Sequence, residues 1–230
     1  MNLKKGDLTI REINHILARF DDNKKTAFDE SYADSLYENY KNNQIDDSNS
    51  RTTLHHLLSG KNVLLIAPGS SIVTYKEKID DFVKQENPVI ISINFVPELY
   101  NVDFAFFSNN KRFSNLENVS CKTIITSNLL SDLADFKIDY NSLSGAFDQG
   151  CNSFIMILKL LKEMNTKAIF IAGADGYTES GKNYYKSNIR TYTKHGNKFN
   201  MAVANAVRNL DLEVTFLTPS AYETERNEKR

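Results

Sequence analysis

Cysteine is scarce in this chain. Of 230 residues only Cys121 and Cys151 carry thiols, and their separation matches no metal-ligand spacing, which fits a reducing cytoplasm. A basic excess is also missing. The net charge of −1 argues against a general nucleic-acid binder. No apolar run approaches the length of a membrane span. The amino-terminal MNLKKGDLTIRE lacks the apolar core of a signal peptide, so the expectation is a soluble, cytoplasmic protein. No G-x-G-x-x-G occurs, which weakens a dinucleotide reading. Nor is there an H-x-x-x-H, H-E-x-x-H or D-x-D, so no dedicated metal site is expected.

What remains is ordinary globular material, 41% hydrophobic and 25% charged. Residues 1–60 contain no proline, and Gly6 and Gly60 are their only glycines. Thr9 can cap a helix whose Ile10, Ile13, Ile16, Leu17 and Phe20 share a face, with Glu12 in the capping-box position. Tyr32, Leu36 and Tyr40 suggest a second helix over residues 29–40. The polar tract KNNQIDDSNS reads as a linker before a short helix at 53–58. Residues 1–60 are therefore expected to form a helical prefix that packs on the main domain or on a partner. His55 and His56 are neighbours and cannot face one ligand from a helix, so they read as structural or exposed.

From residue 61 onward strands and helices alternate. Strands are expected at 63–67, 89–93, 104–108, 122–125, 168–172 and 213–217. Helices are expected at 73–85, 153–163 and 198–209. This pattern predicts a Rossmann-like α/β domain over 61–230, a mostly parallel sheet with helices on both faces. Its organising stretch is VLLIAPGSSI, residues 63–72. A buried strand stops at Pro68, which cannot continue its ladder, and Ser70 or Ser71 can cap the helix that follows. Such a turn is expected to aim free backbone N–H groups above the sheet, where open α/β sheets bind ligands.

Other strand ends carry Asn94, then Ser108, Asn109 and Asn110 followed by Lys111 and Arg112, then Gly173, Asp175 and Tyr177. Parallel strands would bring these small, amide and acidic groups to one edge. Each asparagine alone reads as a turn residue, but several amides together suit a base or ribose. Residues 176–183 nearly spell a P-loop, but Asn183 replaces the required hydroxyl and no apolar helix face follows. The stretch 177–195 reads either as a solvated loop or as a lid. It holds Tyr177, Tyr184, Tyr185 and Tyr192 interleaved with Lys182, Lys186, Arg190 and Lys194. His195 closes it just before a helix, where a histidine can act as a base of lowered pKa, although alone it is more often a surface residue.

Read in order, LLIAPGSSIVTYKEK, ISINF, FFSNN, CNSF, IFIAGADGYTESGKNYY and HGNKFNMAVANAVRNLDLEVTFLTPSAYE resemble the small bacterial sialyltransferases that use CMP-sialic acid. The resemblance spans residues 62–222 and is clearest over 153–222. It implies that Gly69, Ser70, Asn94, Asn109 and Ser153 hold CMP, with Asp175 at the same edge. It further implies that Tyr177 and either Tyr184 or Tyr185 bind the leaving phosphate and that His195 is the general base. Pro68 stands where that family has Asn, and the stretch from Tyr177 to His195 is shorter than in those enzymes. DLTIREINHIL, YADSLYENY and LLIAPGSSI through NNKRF also resemble the region after the barrel in aldolases similar to 4-hydroxy-2-oxovalerate aldolase.

Two functions follow as expectations. One is a metal-independent glycosyltransferase of bacterial polysaccharide type. Its substrates would be a CMP-linked donor of a sialic-acid-like or other 2-keto-3-deoxy sugar and a glycan or lipid-linked acceptor, and it would use no cofactor. The other is a non-catalytic nucleotide- or sugar-acid-binding module associated with an aldolase domain. A homo-oligomer is compatible with either.

Overall fold

The computed structural model describes residues 44–113, 119–129, 131–144, 152–178, 184–186 and 196–223. The helices expected over 9–20 and 29–40 lie outside the described residues. Among the described residues seven strands form one sheet: β1 (Asn62–Ile66), β2 (Val89–Ile93), β3 (Phe104–Phe107), β4 (Lys122–Thr126), β5 (Phe136–Ile138), β6 (Ala168–Ala172) and β7 (Val214–Phe216). Their order is β5-β4-β3-β2-β1-β6-β7, and every pairing is parallel. The expected Rossmann-like α/β architecture is therefore the observed one. Sequence periodicity anticipated six of these strands. The seventh, β5, has three residues, too few to show a period.

The central strand explains the layering. Val63, Leu64, Leu65 and Ile66 of β1 are all fully buried, as a parallel strand covered on both faces requires. Val63, Leu65 and Ala67 pack with helices α1 (Ser48–Leu58), α6 (Ser153–Glu163) and α7 (Gly196–Asn209). Leu64 and Ile66 face the other way, toward Ile72 and toward Ile79, Phe82 and Val83 of the helix Lys76–Glu86. The α6 sequence SFIMILKLLKE is apolar nearly all round, and eight of its residues are buried. Asn152 starts it by accepting the Phe154 N–H at 2.9 Å.

Two helices differ from expectation. The single helix expected at 73–85 is broken into α2 (Ser71–Thr74) and α3 (Lys76–Glu86), with Tyr75 between them at φ −107°, and two short helices, α4 (Asn110–Phe113) and α5 (Tyr140–Leu143), lie between α3 and α6. Helix α1 begins at Ser48 rather than at residue 53, so part of the polar tract is helical. Asp46 accepts the Ser48 N–H at 3.0 Å, and Arg51 bonds Asp47 at 2.8 Å while pairing with Glu163 of α6. These polar side chains thus tie the helix start to the domain. Its apolar residues Leu54 and Leu58 sit in the main core, fully buried. His55 and His56 are exposed on the same helix.

The chain runs outward from β1 through β2, β3, β4 and β5, then returns to place β6 on the other side of β1. The α3 crossover covers one face, and the α7 crossover between β6 and β7 covers the opposite face. The connections after β1 and β6 therefore part company, and a crevice opens between the ends of these two strands. No helix among the described residues is long and apolar enough to cross a membrane.

Burial of Leu54 makes α1 a structural member of the domain. Leu54→Ala is expected to lower the unfolding free energy by about 2–5 kcal/mol, read from urea unfolding followed by circular dichroism. A loss below about 0.5 kcal/mol, the range of ordinary surface changes, would mean that α1 is an appendage.

Candidate functional site

The crevice is a cavity of about 230 Å³. Its walls include Pro68, Asn94, Asn109, Arg112, Ser153, Asp175, Tyr177, Tyr184 and Tyr222. Of the residues expected at a site, Asn94, Asn109, Ser153, Asp175, Tyr177 and Tyr184 are thus brought to one lining.

The turn after β1 is used differently from expectation. Its Gly69 N–H bonds the Gly173 carbonyl at 2.8 Å, and its Ser71 N–H bonds the Asp175 carboxylate at 2.9 Å. The hydroxyls of Ser70 and Ser71 also donate to Asp175. These donors are therefore engaged inside the protein. Neither serine caps the helix with its own side chain; Asp175, arriving from the β6 turn, does so across the crevice. Gly69 and Ser70 stand behind the wall and not in it. The contact is close enough to require glycine on both sides. A Cβ at Gly69 would overlap the Gly173 carbonyl oxygen, and one at Gly173, where φ is +75°, would overlap that of Ala67.

The floor is a chain of hydrogen bonds. Asn94, at φ +60°, donates from Nδ2 to Ser153 Oγ at 2.7 Å and accepts the Ser108 N–H at 3.3 Å. Ser108 Oγ lies 2.5 Å from Ser153 Oγ. Below them Asn128 donates to the Ser108 carbonyl at 3.2 Å and accepts from Thr126 at 2.5 Å. Asn109 uses its side-chain oxygen locally, accepting the Arg112 N–H at 3.2 Å.

The tyrosine wall is held from two directions. Asn200 of α7 accepts the Tyr177 N–H at 2.7 Å and donates to the Tyr177 carbonyl at 3.0 Å, a two-point clamp on the backbone. Gly176, at φ +95°, fits under this clamp because a Cβ would lie 2.7 Å from Ala221. The Tyr177 ring leans on Phe199 at 5.9 Å. Tyr184 forms an antiparallel bridge with Gly69, and the Tyr185 N–H bonds the Pro68 carbonyl at 3.1 Å. In extended chain, successive side chains point to opposite sides. Tyr184 consequently lines the cavity, whereas Tyr185 packs against Phe95 at 5.7 Å with its hydroxyl buried. Of the two tyrosines between which the sequence left a choice, Tyr184 is the one on the cavity lining.

Tyr222 went unrecognised as a lining residue, and Arg112 was read only as a cation following the β3 end, with no role at a site. Tyr222 stacks on Phe154 with centroids 5.6 Å apart. Burial pushes its phenol well above the usual range, helped by Tyr177, Tyr184 and Asp175 close by, so it stays a hydrogen-bond donor. Asn200 was missed as well, because an asparagine inside an amphipathic helix carries no local signal of the backbone it will clamp. His195, and the stretches 179–183 and 187–195 of the proposed lid, lie outside the described residues. Among the described residues no group of three or more His, Cys, Asp or Glu could hold a metal ion.

Gly173→Ala tests the contact between the walls. It is expected to cost more than the about 1–3 kcal/mol of backbone strain alone, measured by urea unfolding. Gly60→Ala is the control, with a similar φ of +69° but nothing within 4 Å of the added Cβ. Equal losses in the two variants would mean that the turns do not touch as described. No protein-family model matches this chain, and no curated protein matches it either.

Proposed function

We propose that this protein is a glycosyltransferase that moves a sialic-acid-like or other 2-keto-3-deoxy sugar from a CMP-linked donor to an acceptor hydroxyl. The observation that carries the reading is the cavity at the switch between β1 and β6, lined by Asn94, Asn109, Ser153, Tyr177 and Tyr184. Amide side chains offer donors and acceptors to a pyrimidine and its ribose. Tyrosine hydroxyls are neutral donors that can meet the oxygens of a phosphate.

In this reading the acceptor oxygen attacks the anomeric carbon, forming the new glycosidic bond. The bond from that carbon to the phosphate oxygen breaks, and its electron pair leaves with CMP. Tyr177 and Tyr184 donate hydrogen bonds to the departing phosphate, which gains charge as the bond lengthens. The acceptor proton passes to His195, the residue that the family resemblance assigns as base. The acceptor is a glycan or a lipid-linked sugar, and the reaction runs in the cytoplasm without a metal ion.

CMP at about 100 times its dissociation constant is expected to add about 2.7 kcal/mol of stability. For a chain of this length that is a rise of about 5–10 °C in melting temperature. A shift with NAD or a purine nucleotide and none with any cytidine nucleotide would overturn the reading.

His195→Ala, assayed for sugar transfer in the presence of EDTA, is expected to reduce turnover by about 10²–10⁴-fold. CMP affinity should stay nearly unchanged. Wild-type protein that binds CMP but transfers no sugar under any condition would point instead to the aldolase-associated binding module.

A further inference from the structure

Among the described residues, two charged side chains line the cavity: Asp175 and Arg112. Asp175 is already engaged by the hydroxyls of Ser70 and Ser71 and by the Ser71 N–H. Arg112 supplies the positive charge. Its backbone N–H reaches the Asn109 carbonyl at 3.1 Å and the Asn109 side-chain oxygen at 3.2 Å. The neighbouring Phe113 packs on Phe107 with ring centroids 5.6 Å apart. The arginine therefore leaves the wall from a backbone fixed on both sides, and it is partly buried. A cation in a partly desolvated cavity of tyrosines and amides attracts an anion more strongly than it would in water. The planar guanidinium can hold two oxygens of one phosphate or carboxylate at once, which a lysine cannot.

We propose that Arg112 is the anion receptor of this cavity, pairing with a phosphate or carboxylate of the bound molecule and so selecting an anionic ligand over its neutral counterpart. The inference rests on the nucleotide-sugar reading, and two groups of such a donor qualify: the phosphate of CMP and the carboxylate of the sugar acid. The pairing needs no other charged partner in the cavity.

The test titrates wild-type protein and Arg112→Gln with cytidine, CMP and a CMP-linked 2-keto-3-deoxy sugar acid by calorimetry. Glutamine keeps the backbone bond to Asn109, and thermal unfolding checks that each variant folds. Loss of one charge-assisted hydrogen-bonded contact is expected to weaken anion binding by about 10- to 100-fold. If CMP weakens in Arg112→Gln while cytidine does not, the partner is the phosphate. If CMP is unchanged while the CMP-linked sugar acid weakens, the partner is the carboxylate. Arg112→Lys is expected to fall between wild type and glutamine, since it keeps the charge and loses the fork.

Equal affinities of wild type and Arg112→Gln for both anionic ligands would overturn the proposal and leave the CMP reading intact. If wild type binds no cytidine compound, the CMP reading fails by itself. The same pair of proteins is then titrated with AMP, GMP, UMP, their nucleosides and a free 2-keto-3-deoxy sugar acid. A phosphate or carboxylate preference that disappears in Arg112→Gln would uphold the role of Arg112, and no difference for any of them would overturn it.

Discussion

The Asp175 carboxylate is the tie on which the cavity depends. Strands β1 and β6 lie side by side, but the chains leaving them head to opposite faces of the sheet. Left alone, the two turns would splay. Asp175 takes the Ser71 N–H and two serine hydroxyls, while the Gly69 N–H meets the Gly173 carbonyl at 2.8 Å. A partly buried carboxylate is costly without partners and favourable with several, so this one holds the turns in a single arrangement. The end of β7 completes the tie: Thr218 Oγ1 accepts the Gly173 N–H at 3.0 Å and lies 2.9 Å from the oxygen of the Ser71 hydroxyl, whose proton goes to Asp175.

This tie also explains how far the sequence could be read. The strands were legible because short apolar runs closed by turn residues have few alternatives in an α/β chain, and β2 and β6 match their expected limits. The convergence of Asn94, Asn109, Asp175 and Tyr177 followed from a parallel sheet alone, since parallel strands end on one edge, whereas Ser153 and Tyr184 were pointed to only by the family resemblance. What the individual polar groups do could not be read. A glycine-serine turn looks the same whether its N–H groups face a ligand or a carboxylate from a strand more than a hundred positions later in the chain. Arg112 and Tyr222 sit next to turns, where charged and aromatic residues are commonplace, and only the fold places them on the cavity lining.

The segment Tyr184–Lys186 shows how a binding surface and a core can share one short piece of chain. Tyr184 faces the cavity and Tyr185 faces Phe95, and Lys186 bonds Glu98 at 2.5 Å on the outside. The bridge to Pro68 and Gly69 fixes which residue goes where. Pro68, which lacks an N–H of its own, still offers its carbonyl to this bridge. The residue that ends the β1 ladder therefore begins a second attachment.

The bonds of Asn94 also constrain recognition. With Nδ2 bound to Ser153 and Oδ1 bound to the Ser108 N–H, its amide cannot turn over without losing both. One amide hydrogen and one lone pair remain to it, in set directions. The rotamer entropy of this side chain is thus surrendered when the protein folds and not when a ligand arrives. A ligand group facing Asn94 meets a fixed hydrogen-bond polarity, and a molecule with donor and acceptor exchanged gains nothing from side-chain adjustment there.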